Sequence, residues 1–94
     1  MPSDALVTIC GKRWRLRYER TPPGKEADCD PPTAPRKTIR IRPGMKRYPR
    51  RLMEALIHEA LHAANWSLDE DHVGKVAEDL TALLWKQGFR QEAQ

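Results

Sequence analysis

The sequence predicts an α+β fold, a small three-stranded sheet, antiparallel or mixed, packed on a two-helix hairpin. Three observations lead there. The N-terminal half contains short runs that alternate apolar and polar side chains, the period of a half-buried strand. From Arg50 onward apolar residues recur at three- and four-residue spacing, the period of an amphipathic helix. Between the strand runs, residues 21–35 hold five of the eight prolines, too many for a helix or a central strand. Ninety-four residues form one domain spanning 1–94, small but able to fold alone. Its core is thin, so a bound metal would add to its stability.

The first element is a β-hairpin over residues 5–20. Ala5–Cys10 is a β-branched run, and Gly11-Lys12 reads as its tight turn. After the turn, Trp14, Leu16 and Tyr18 point one way and Arg13, Arg15, Arg17 and Glu19 the other. The aromatics are thus on the face opposite the arginines, which favours a core over a base-stacking platform. Residues 21–35 read as a Pro-rich loop, long for so small a domain and therefore a candidate cleft wall. Within it Asp28 and Asp30 flank Cys29 with no metal-ligand spacing, and turn chemistry accounts for them. Residues 37–42 alternate again as an edge strand, with Ile39 and Ile41 toward the core and Arg40 and Arg42 toward solvent.

Met45–Pro49 is a basic connector that leads into a helix over 50–65, with Pro49 suited to its first turn. Leu52, Met53, Leu56, Ile57, Ala60 and Ala64 form its apolar stripe. Ser67 and Glu70 have the spacing of a capping box and start a second helix over 68–87. Its stripe is Val73, Val76, Ala77, Leu80, Leu83 and Leu84, and Gly88 ends it. Phe89 is expected to tuck back against it. Trp66 and Trp85 read as core and rim residues.

The first helix carries the chemistry, in Ile57-His58-Glu59-Ala60-Leu61-His62-Ala63. Residues four apart lie on one helix face, one turn above the other, so His58 and His62 can share one metal ion. Glu59 is rotated off that face, placed to take a proton from a metal-activated water without ligating. Within Ala55–Ala64 the three motif residues are the only polar ones. Polar groups in an apolar stretch need partners, and a metal supplies them. A catalytic zinc usually takes three protein ligands. The short interhelical turn brings the start of the second helix opposite His62, where Asp69, Glu70, Asp71 and His72 stand. Asp71 points away, and Glu70 is expected to be engaged in capping.

This H-E-x-x-H arrangement resembles the zincin metallopeptidases. Asp71-His72-Val73-Gly74 following the motif is similar to a shortened form of the SprT-like (Spartan-type) pattern, in which a third His on the next helix completes the site. The resemblance implies a minimal zincin-like core, a zinc ion (Zn2+) held by His58, His62 and His72, with Glu70 and Asp69 as alternatives, and Glu59 as general base. It also implies a peptide or protein substrate laid along the 37–42 edge strand. The oxyanion donor is left open among Tyr48, Arg42 and Arg47. The metzincin pattern does not fit, because Leu68 occupies the place of its further His. The gluzincins instead take a Glu from the next helix, usually at longer separation.

The net charge of +4 hides an asymmetry: residues 1–50 carry 13 Lys/Arg against 5 Asp/Glu, and residues 51–94 carry 4 against 8. A basic half can favour nucleic acid. The alternative function is therefore a non-catalytic zincin-like binding or accessory module, phage-type or nucleic-acid-associated. Cys10 and Cys29, the only cysteines, form no C-x-x-C pair, which excludes a zinc ribbon. They read as unpaired small residues in a reducing compartment. No apolar run reaches the ~20 residues of a membrane span, and Met1-Pro2-Ser3-Asp4 does not open a signal peptide. A cytoplasmic monomer is the expectation.

Overall fold

A computed structural model describes residues 4–90. Its class is α+β, with a four-stranded mixed sheet and two helices. The strands are β1 (Ala5–Ile9), β2 (Lys12–Tyr18), β3 (Ala27–Cys29) and β4 (Thr38–Ile41). Strand β4 is followed by a 3₁₀ turn (Pro43–Arg47), α1 (Pro49–Ala64) and α2 (Glu70–Lys86).

The β1–β2 hairpin turns one residue earlier than Gly11-Lys12. Cys10 and Gly11 both have positive φ, 49° and 78°, with Ile9 opposite Lys12. Positive φ at both central residues is the type I′ pattern, whose twist suits a two-residue hairpin. The expected alternation of β2 holds at its centre, where Trp14 is fully buried.

The sheet order β1-β2-β4-β3 corrects two expectations. The sheet has four strands, not three, because Ala27–Cys29 pairs antiparallel with β4 inside the Pro-rich segment. Three residues between two proline blocks are too few to show a period. Residues 37–42 therefore do not form an edge strand. Strand β4 lies between β2, to which it is parallel, and β3. With both edges hydrogen-bonded and one face covered by α1, Thr38, Ile39 and Ile41 are all buried. The free edge on that side belongs to β3.

Trp14, Ile39, Ile41, Met45, Leu52 and Ala63 form the main core, between the sheet, the 3₁₀ turn and α1. Helix α1 is the middle layer, packed against the sheet on one side and α2 on the other. This divides its surface in three. The most buried positions are Leu52, Glu59 and Ala63, a stripe rotated from the expected one, whose Ala64 is exposed. Met53, Ile57 and Ala60 are only partly buried. Ala55, His58 and His62 line a cleft. Helix α2 packs chiefly on α1, so it buries Val73, Ala77 and Thr81 and leaves Leu80 and Leu83 exposed. It ends in a Schellman motif. Gly88, with φ 88°, donates to the Trp85 carbonyl and Phe89 to the Leu84 carbonyl. The Phe89 ring stays exposed and does not tuck back.

Candidate metal centre

The connection between the helices decides the third donor. Asp69, not Ser67, is the N-cap of α2: its side chain accepts from the His72 N–H at 3.2 Å. Ser67 is turned instead to Asn65, with its backbone N–H and hydroxyl both donating to the Asn65 Oδ1. Glu70 is therefore released from capping and becomes the first residue of α2, directly across from the histidines. His72, two residues on, is rotated by roughly 200° about the helix axis and lies exposed. Asp69 is held by its capping bond.

Three donor groups converge. His58 Nε2 and His62 Nε2 are 3.2 Å apart. His58 Nε2 is 2.9 Å from Glu70 Oε1, and His62 Nε2 is 2.8 Å from Glu70 Oε2. Among the described residues, His58, His62 and Glu70 form a group close enough to hold one metal ion. Zinc bonds of ~2.0–2.1 Å in a tetrahedron separate ligand atoms by roughly 3.3 Å, close to this triangle. Hydrogen bonding alone does not account for all three contacts. A carboxylate only accepts, so both Nε2 atoms would need protons to bond Glu70. With both protonated, the 3.2 Å contact between the two nitrogens is not a hydrogen bond. A cation at the centre satisfies all three lone pairs at once. The histidines are the inner members of the group, with 24% and 15% of their side chains exposed, and Glu70, 71% exposed, is at the rim.

Glu59 faces inward. It is 8% exposed, on the sheet side of α1 beside the edge strand. Cys29 of β3 meets it there, its thiol donating to the carboxylate. Burial raises the Glu59 pKa above the ordinary carboxylate value, while the imidazoles of His58 and His62 and the Cys29 thiol pull it back. Burial, then the charge of Glu59, push the Cys29 thiol up to about 12, so it stays a protonated donor. The two cysteines are both free, and Cys10 is exposed on the hairpin turn. Nothing in the sequence pairs Cys29 with Glu59, because β3 itself is not legible there.

The cleft has a volume of about 650 Å³. Strand β3 forms one wall, α1 the floor, and Trp66, Leu68 and Glu70 the far side. Trp66 is not a core residue; its ring stands edge-on to His62 at 6.3 Å and is half exposed. Of the three oxyanion candidates, Tyr48, Arg42 and Arg47, none lines this cleft. They surround a neighbouring cavity, and the cations of the metal cleft are Lys25 and Arg51.

What fold and site define is a group of two histidines and one carboxylate close enough to hold a metal ion, with a buried acid beside it, in the cleft of an α+β domain. No family model, curated protein or solved structure matches the chain.

Proposed function

We propose that the protein is a zinc-dependent metallopeptidase of zincin type, with His58, His62 and Glu70 as ligands and Glu59 as general base. The observation that carries this reading is the triangle of donor groups, whose three contacts cannot all be hydrogen bonds, next to a buried carboxylate. Two histidines and a glutamate are a donor set of catalytic zinc, which keeps one position open for water or substrate. The donor set is the gluzincin one, at shorter spacing, rather than the SprT-like set with a third His. Zinc at this centre supplies Lewis acidity toward a water and a carbonyl oxygen. Glu59 would take a proton from the attacking water and return it to the leaving amine. Its raised pKa suits both roles, since a base that must later act as an acid works best near the operating pH. Cys29 holds one side of the Glu59 carboxylate, leaving the other toward the cleft. The free edge of β3 offers backbone groups to an extended peptide, the role expected of residues 37–42.

The test has two parts. Protein purified without added zinc is assayed for metal content, and zinc-loaded protein is assayed on unfolded casein. Glu59→Gln is expected to retain zinc and lose about 10²–10⁴-fold in cleavage rate. Full activity in Glu59→Gln would overturn the reading. Steeply salt-dependent DNA binding without any cleavage would favour the accessory-module alternative.

A further inference from the structure

Arg42, Arg47 and Tyr48, which lie outside the histidine cleft, belong to a site of their own. Arg42, Arg47, Tyr48 and Arg51 line a second cavity, of about 350 Å³, together with Glu26. It adjoins the metal cleft: Glu26 and Arg51 line both. Three guanidinium groups stand around a single carboxylate. That carboxylate, Glu26, is paired with Arg51. Arg42 is held by its Nη2, which donates to the Lys25 carbonyl at 2.6 Å, and it has no carboxylate partner among the described residues. The Arg47 side chain has no ion-pair partner among the described residues. Arg51 is further fixed over the Tyr48 ring, 5.4 Å from its centroid. The first turn of α1 holds no acidic residue. Arg42 and Arg51 are thus fixed in place, and the one carboxylate of the cavity is taken up by Arg51, which leaves the charges of Arg42 and Arg47 uncompensated within the cavity. That is the arrangement that favours bidentate capture of a carboxylate.

We propose that this cavity is an anion subsite of the same cleft, selecting substrates that carry an acidic side chain two or three residues from the scissile bond. The inference rests on the metallopeptidase reading for the position of the bond. Arg51 and His58 are seven residues apart on α1, about 10 Å along the axis. An extended peptide covers that distance in about three residues. The shared wall means that one bound chain reaches both places. The small volume suits one carboxylate side chain, whereas a polynucleotide needs a continued run of unpaired cations. On the sheet face Arg17 and Arg40 are already ion-paired.

The experiment uses the full chain and fluorescein-labelled decapeptides in which one Glu is moved stepwise through a neutral sequence, with the Gln series as control. Binding to zinc-loaded Glu59→Gln is read by anisotropy, and cleavage by the active protein is read by mass spectrometry. The expected result is an advantage of about ten- to hundredfold for Glu at one position two or three residues from the cut. Arg47→Gln is expected to reduce it and Arg47→Glu to abolish it, with the neutral peptides unaffected. Equal binding of the Glu and Gln series overturns the subsite, as does an advantage that survives Arg47→Glu. So does displacement of the Glu peptide by a single-stranded oligonucleotide of equal affinity. If no peptide is cut but the Arg47-dependent preference for Glu persists, the peptidase reading fails and the anion site stands.

Discussion

Two polar clusters flank strand β3, and they differ in whether their charges close. On the outer face of the sheet, Arg40 reaches Asp30 at 2.9 Å, Asp28 at 3.4 Å and Glu19 at 3.4 Å, and Glu19 reaches on to Arg17 and thence Asp4. Burial works against the Arg40 charge, but Asp30 and Asp28 more than offset it, so the guanidinium is held more firmly charged than usual. Every group there has a partner of opposite sign. Across α1, His58, His62 and Glu70 are as close together but no placement of protons makes their three contacts hydrogen bonds. A closed network stabilises the fold and asks for nothing further. An open one is incomplete until something binds, so the second is where function belongs.

Breaking the open cluster has the largest expected effect. Replacing both His58 and His62 with alanine should abolish stoichiometric zinc in metal analysis, while the melting temperature of the metal-free protein stays near that of the wild type. The wild type should gain roughly 2.7 kcal/mol of stability at zinc a hundredfold above its dissociation constant, and the double variant none. A large drop in metal-free stability would mean that the histidines are structural.

The choice of third ligand gives the next sharpest contrast. Glu70→Gln is expected to weaken zinc binding by at least about tenfold, and His72→Gln to leave it unchanged, both read by competition with a chromogenic chelator. The reverse pattern would restore His72 to the site. The closed cluster should behave in the opposite sense. Arg40→Gln leaves Asp28, Asp30 and Glu19 without their shared cation. It should lower stability by about 1–2 kcal/mol in urea denaturation, toward the low end because the network is partly exposed. Zinc affinity should not change.

The smallest effect concerns pH. The folded-state pKa of Glu59 is above its unfolded value of 4.5, so the fold binds this proton more tightly than the unfolded chain does. The stability associated with it is complete below pH 4.5 and is lost as pH rises through the raised value. Metal-free Glu59→Gln should therefore melt higher than wild type at pH 7, with the gain fading toward pH 4. A gain that is constant with pH would show that packing, not ionisation, causes it.

Much of this protein is written in local pattern. The hairpin over β1 and β2, the two helices, their short connection and the pairing of His58 with His62 follow from periods of two and 3.6 and from the four-residue repeat, which act between near neighbours. Helix boundaries fall within a residue or two of expectation because Pro49 and Gly88 act locally. What tertiary structure alone decided depends on segments distant in the chain. Strand β3 exists because β4 is there to pair with three otherwise featureless residues, and its addition moved the free edge away from residues 37–42. The buried face of α1 turned because a helix between two layers must satisfy both, and Glu59 went with it to meet Cys29. Glu70 rather than His72 reached the histidines because Asp69 took the cap. Three side-chain hydrogen bonds at a turn set the rotation of a helix, and that rotation brought Glu70 to the histidines.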